Sequence, residues 1–242
     1  MNKICALVAA AGSGTRACLP YPKTLFPIQG KPILIRVAEL LAPYDLHPTI
    51  IVSPNGQAQI QECLNDSGVV AHLVVQPEPR GMGDAVLRFE HSPAFANAEH
   101  VLLVWGDVPF IQPETLATVI KVHIEHKNDF TFPTRQVSSA YTMVSRDTLG
   151  QVTGVVETRE QGILAPQAGE RDIGLFIFRK AVVLDALREE LSNKWGRSTN
   201  EHGFLYVIRH LAARGLRVEA LLVATELDLV SFNSLKDVDA YV

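Results

Sequence analysis

From residue 4 to residue 224 the chain alternates short apolar runs with segments whose apolar residues recur at helical spacing. Strand-like runs lie at 4–9, 49–52, 70–75, 101–105, 129–132, 152–157, 173–178 and 218–224. Helix patterns fall between them at 32–41, 56–64, 84–91, 114–127, 180–191 and 203–214. Runs such as Val101-Leu102-Leu103-Val104-Trp105 are apolar at consecutive positions, so both faces of such a strand must be covered. The combination predicts an α/β fold with a mixed, mostly parallel central sheet flanked by helices. The stretch 129–178 breaks the rhythm, with strands and no convincing helix, and predicts an antiparallel excursion or a small lid. Ligands of open α/β sheets gather at the carboxyl ends of the strands, so chemistry is expected directly after them.

With 242 residues, 47% apolar, and no Ser/Gly/Pro-rich or charge-block linker, the chain reads as a single domain over 1–242, its subregion 129–178 set apart. No internal repeat or low-complexity tract occurs. The cysteines Cys5, Cys18 and Cys63 lack C-x-x-C spacing and read as reduced, buried thiols, which favours a cytoplasmic setting over a secreted one. The apolar run from Ile4 to Ala11 follows a single Lys3 and reads as a first strand rather than a secretory leader. No run is long enough for a membrane span. A net charge of −4 gives no pull toward nucleic acid or an anionic membrane, and a homo-oligomer stays open. Charge distribution is more telling: Lys3, Arg16, Lys23, Lys31 and Arg36 precede the first acid, Glu39, which points to a small anionic ligand.

The strongest motif follows the first strand: Ala9-Ala10-Ala11-Gly12-Ser13-Gly14-Thr15-Arg16, then Leu19-Pro20-Tyr21-Pro22-Lys23. Glycines let the backbone turn its N–H groups onto phosphate oxygens, and Arg16 and Lys23 add full charges, as triphosphate binding needs. Gly12, Gly14 and Ala17 also satisfy the dinucleotide pattern. Two features oppose it. Pro20 and Pro22 keep the chain out of helix where that motif opens one, and no acid follows the second strand to hold a ribose. Neither Gly30-Lys31-Pro32 nor Pro22-Lys23-Thr24 completes a P-loop.

Gln76-Pro77-Glu78-Pro79-Arg80-Gly81-Met82-Gly83 after the third strand is either a turn or a pocket in which an amide pairs with a base edge. Trp105-Gly106-Asp107 ends the most apolar strand; a carboxylate there holds a cation or caps the helix that begins near Pro113. Ser234 with Asp237 reads as a helix start, and Asn233 is left over. His123, Glu125 and His126 lack metal-site spacing and read as a solvated helix face, as do His202, Arg209 and His210. No G-x-S-x-G is present.

Taken in order, A-A-G-S-G-T-R with P-K, Q-P-E-P-R-G-M-G, W-G-D-V-P, V-T-G-V-V-E and F-N-S-L resemble the nucleotide-sugar pyrophosphorylases, in particular the uridylyltransferase domain that makes UDP-N-acetylglucosamine. The resemblance implies a Rossmann-like nucleotide-sugar transferase fold of the GT-A type. It implies that Ala9, Ala10, Ala11, Gly12, Ser13 and Gly14 cradle a nucleotide and that Arg16 and Lys23 neutralise its phosphates. Gln76, Gly81 and Met82 would then face the base, with Trp105 and Gly106 beneath the nucleotide. Asp107 and Asn233 would hold Mg²⁺, and Glu157 and Asp172 would meet the acceptor. The implied reaction is attack of a sugar 1-phosphate on the α-phosphate of a nucleoside triphosphate, most simply UTP, with pyrophosphate leaving. The nucleophile is already anionic, so positioning and charge neutralisation suffice without a general base. Met82 replaces a family Thr, Asp172-Ile173-Gly174 replaces N-T-G, and a G-Y-G-R segment is absent. The alternatives are a cytidylyltransferase for a phosphorylated alcohol or phosphonate, and a non-catalytic nucleotide-binding protein. With no hexapeptide repeat, no acyltransferase half is expected.

Overall fold

The computed structural model describes residues 3–12, 19–162 and 167–241, without the side chains of residues 159 and 161. In chain order the elements are β1 (Ile4–Ala9), a short antiparallel pair β2 (Pro27–Ile28) and β3 (Lys31–Pro32), α1 (Ile33–Leu41), β4 (Thr49–Val52), α2 (Gln57–Asp66), β5 (His72–Val75) and α3 (Met82–Leu87). They continue with β6 (His100–Trp105), α4 (Pro113–Glu125), β7 (Phe130–Ala140), β8 (Thr142–Arg146), β9 (Val152–Glu157), β10 (Gln167–Asp172), β11 (Leu175–Arg179), α5 (Lys180–Arg188), α6 (Tyr206–Ala213) and β12 (Val218–Leu221).

The central sheet runs β10-β7-β11-β6-β1-β4-β5, with β12 also paired to β7. Strands β6, β1, β4 and β5 are mutually parallel, whereas β11 is antiparallel to β6 and β7, and β10 to β7. The sheet is therefore mixed and Rossmann-like, with its antiparallel part inside 129–178. Along β1, Cys5 and Leu7 pack into one core with α3, α5 and α6, while Ala6 and Val8 pack into the other with α1, α2 and α4. Double coverage is the reason these strands read as unbroken apolar runs. Phe130, Phe132, Phe176, Phe178 and Phe204 fill the first core as one aromatic cluster.

Three sequence readings need correction. The run at 173–178 is strand only from Leu175 on, because Gly174 takes a φ of 76° and turns the chain between β10, which ends at Asp172, and β11. Strand β9 pairs only with β8, in a separate hairpin outside the main sheet. His123 is no part of a solvated face: it is fully buried, with Nε2 2.9 Å from His100 Nδ1 and Nδ1 2.9 Å from Thr131 Oγ1. Burial, followed by the neighbouring His100, pushes its pKa down from 6.5 to about 3, so the ring is neutral.

Candidate active site

The parallel register sets Ala9 beside Trp105, so the loops that leave β1 and β6 emerge at one edge of the sheet. Gly106 N–H donates to Ala9 O at 2.9 Å. A Cβ on Gly106 would stand 2.8 Å from that same carbonyl, so only glycine lets the two loops close up. Asp107 comes next. Its Oδ2 accepts a 2.5 Å bond from Lys23 Nζ, and its Oδ1 is buried with no hydrogen-bond partner among the described residues. Lys23 opens a single helical turn, Lys23–Leu25, and its stem passes 3.7 Å from where a Cβ of Gly12 would lie.

The chain returns to this point near its end. Phe232 N–H donates to Asp107 O at 2.7 Å, and the Phe232 ring stacks on Phe26 with centroids 4.5 Å apart. Asn233, the next residue, donates from Nδ2 to Ser231 Oγ, which leaves its Oδ1 as the atom able to face a cation. Asp107 does not cap α4. That place is taken by the fully buried Asp228, which accepts from Gln112 N, Thr115 Oγ1 and Thr225 N. The capping box of Ser234 and Asp237 is present, on a single tight turn.

The base loop is held by its glycines. Gly81 takes a φ of 102°, and a Cβ there would lie 2.5 Å from His202 O; at Gly83 one would lie 2.1 Å from Gly203 O. His202 N–H donates to Arg80 O and Gly83 N–H to His202 O, so the 195–206 segment is laced to residues 80–83. Gln76 is buried, and its Nε2 donates both to Gly81 O (3.1 Å) and to Asp84 Oδ2 (2.8 Å). Both amide hydrogens are thereby engaged, and the amide oxygen is the acceptor left to a ligand.

These parts enclose a cavity of about 390 Å³. Of the residues singled out by sequence, it brings together Ala9, Ala10, Ala11, Gly12, Lys23, Gln76, Gly81, Met82, Trp105, Asp107 and Glu157 in its wall. Gly106 and Asn233 are not in the wall: Gly106 precedes Asp107 with its N–H on Ala9 O, and Asn233 follows Phe232, whose N–H meets Asp107 O. Ser13, Gly14 and Arg16 lie outside the described residues, as does Cys18. Asp172 is not brought into the wall: it is 2% exposed, receives bonds from Thr142 Oγ1 (2.5 Å) and Gly174 N (3.0 Å), and burial pushes its pKa up. Its two bonds support the turn whose Gly174 packs on Trp105.

Sequence reading missed the opposite wall, which includes Glu160, Trp195, Arg197, His202, Tyr206 and Arg209. The spacing reads His202 and Arg209 as a solvated face; His202 departs from that reading, being 3% exposed, whereas Arg209 is exposed as expected and its open side chain lies in the cavity wall. The signal was Gly154 in V-T-G: a Cβ there would meet Arg209 Cβ at 3.1 Å, so this glycine exists to let α6 cross β9.

The donor chemistry fits a hard divalent cation. Asp107 Oδ1 is an orphaned carboxylate oxygen, and the Asn233 amide oxygen is a second hard donor. Among the described residues no group of three or more His, Cys, Asp or Glu side chains could hold a metal alone, so phosphate oxygens of a ligand would have to complete the shell. That is how Mg²⁺ is bound beside phosphates.

The family model for the MobA-like NTP transferase domain matches residues 6–202. The bifunctional protein GlmU of Symbiobacterium thermophilum is 30% identical over 237 residues, 96% of this chain and 49% of its own length. GlmU of Alkalilimnicola ehrlichii is 33% identical over 234 residues, 94% of this chain and 47% of its own. The chain thus spans about half the length of the curated relatives it matches. Among solved structures, UDP-glucose pyrophosphorylase complexed with UDP-glucose superposes with a TM-score of 0.72 at 20% identity, covering 100% of this chain and 98% of that one. The inositol-1-phosphate CTP transferase from T. maritima superposes with a TM-score of 0.69 at 18% identity, covering 90% and 84%.

Proposed function

Since the chain belongs to the MobA-like NTP transferase family, we propose that its cavity joins a nucleoside triphosphate, UTP by preference, to a sugar 1-phosphate, releasing pyrophosphate. The observation that carries this reading is the Asp107 carboxylate, with Lys23 on one oxygen and nothing on the other, at the carboxyl edge of a sheet whose first loop is rich in glycine. Asp107 and Asn233 would hold Mg²⁺, which when bound supplies charge neutralisation at the phosphates. Lys23 then holds phosphate oxygens, and the Ala9–Gly12 backbone meets the nucleotide. The Lys23 ammonium has three donors, so it can meet a phosphate oxygen while keeping its bond to Asp107. The acceptor phosphate is an anion at neutral pH, so positioning and electrostatics supply the catalysis.

The base preference rests on Gln76. With its amide hydrogens engaged, its oxygen requires a donor on the base, and uracil offers N3–H. Cytosine has an acceptor at N3 but an amino group at C4, so a cytidylyltransferase is the second reading. Met82 in place of the family's Thr and the fold shared with inositol-1-phosphate CTP transferase favour it. A cytoplasmic setting fits the free thiols of Cys5 and Cys63.

Pyrophosphate release with Mg²⁺, measured across four nucleoside triphosphates crossed with sugar 1-phosphates and phosphoalcohols, tests the proposal. Release that needs one nucleotide and one acceptor supports it. Release with CTP and a phosphoalcohol alone selects the second reading, and nucleotide binding without release selects a binding protein.

A further inference from the structure

Arg197 and Arg209 share two properties. Both line the cavity with exposed side chains, and neither has a hydrogen-bond, ion-pair or ring partner among the described residues. Every other arginine whose side chain is described has one, from Arg36 on Ile28 O and Arg146 on Glu170 to Arg171 over the Tyr141 ring and Arg217 on His126 O. The unpaired guanidinium groups are therefore gathered in one place, at the wall opposite Lys23.

Their positions are built. Gly154 of β9 gives up its side chain so that the stem of Arg209 can cross the strand, three residues before Glu157 and so about 10 Å along it. Arg197 sits in a loop closed by the bridge between Trp195 and His202. Glu160 fixes that loop by accepting from Ser198 N at 2.8 Å and Thr199 Oγ1 at 3.3 Å. None of the acidic groups of this wall pairs with either arginine: Glu160 accepts from the loop as stated, Glu157 has a partner of its own, and Glu201 packs by its Cβ against Gly81.

A simple hexose 1-phosphate carries one anionic group, and the reaction places it beside Asp107 and Lys23. Two further guanidinium groups in the cavity wall, open to solvent, are available to a second anion, and Arg pairs best with planar or tetrahedral oxyanions. We propose that the acceptor, within the nucleotidyltransferase reading on which this rests, carries a second anionic group, a carboxylate or a second phosphate, bound by Arg209 and Arg197.

Calorimetric titration of the protein tests this with matched probes. The first set is UDP, UDP-glucose and UDP-glucuronate. The second is glucose 1-phosphate against glucose 1,6-bisphosphate, in the presence of Mg²⁺ and the α,β-imido analogue of UTP. The result expected is that one anionic member binds at least about tenfold tighter than its neutral counterpart; the glucuronate arm identifies a carboxylate and the bisphosphate arm a phosphate. Arg209→Gln and Arg197→Gln should each remove most of that preference while UDP affinity stays within about twofold, which also shows that the variants fold. Equal binding within both sets, or a preference that survives both substitutions, overturns the proposal. Failure of UDP and the UTP analogue to bind at all would instead bring down the nucleotidyltransferase reading, and this inference with it.

Discussion

The two oxygens of Asp107 have different neighbours, Lys23 on Oδ2 and none on Oδ1, and that asymmetry is what an Asp→Asn change would probe. Asp107→Asn is expected to lower pyrophosphate release by about 10²-fold or more, the cost typical of losing one electrostatic element of a preorganised site. Initial rates over a range of Mg²⁺ concentrations check it, and an unchanged rate would remove Asp107 from the chemistry. Gly81→Ala belongs to the same scale. Its φ of 102° is a backbone conformation that alanine rarely adopts, and the new Cβ would press on His202 O. A stability loss of about 1–3 kcal/mol in urea unfolding is expected, with weaker nucleotide binding by calorimetry. That Ala9–Gly12, Lys23, Gln76, Gly81 and Asp107 share one cavity was legible because they cluster in short motifs directly after strands. The burial of His202 was not, because it comes from bonds to residues 80–83, far off in the chain, and the exposure of Arg209 does not say that it opens onto the cavity.

Among the elements, β1, β4 and β6 were legible because burial on both faces leaves no polar position to blur them. Strand β10 was not: Gln167, Glu170, Arg171 and Asp172 look like loop, and the strand exists because it pairs with β7 while Glu170 is matched by Arg146 and Thr134. A pairing made in space leaves no periodic trace in the chain. The segment from Thr225 to Asn233 shows the same dependence on a distant partner. Asp228 ties it to the first turn of α4, and through Phe232 that tie reaches Asp107. Asp228→Ala would orphan several buried donors, so a loss of about 2–4 kcal/mol is expected, together with a higher Mg²⁺ requirement. Urea denaturation checks the first and the metal dependence of the rate checks the second. A destabilised variant with unchanged Mg²⁺ dependence would show that the segment supports the fold alone.

For the whole molecule, two buried histidines set how stability follows pH. Burial lowers His123 from 6.5 to about 3 and His202 from 6.5 to about 4, whereas both titrate near 6.5 in the unfolded chain. Between these values the unfolded state binds more protons, so stability is complete above pH 6.5 and falls as pH drops toward 3 to 4. A loss of about 1–2 kcal/mol per histidine is expected at pH 5 relative to pH 7, and His123→Gln should flatten the profile of urea midpoints. A flat profile in the unsubstituted protein would mean that one ring is charged in the fold. The central claim concerns the bond made in the cavity, and isotope placement tests it most directly. With UTP labelled at either the α or the γ phosphorus, Mg²⁺ and an accepted sugar phosphate, the α label is expected in the acceptor diester and the γ label entirely in pyrophosphate, both slowed by about 10²-fold or more in Asp107→Asn. Transfer of the γ label to the acceptor, or its release as inorganic phosphate, would contradict attack at the α-phosphate and with it the function assigned to the site.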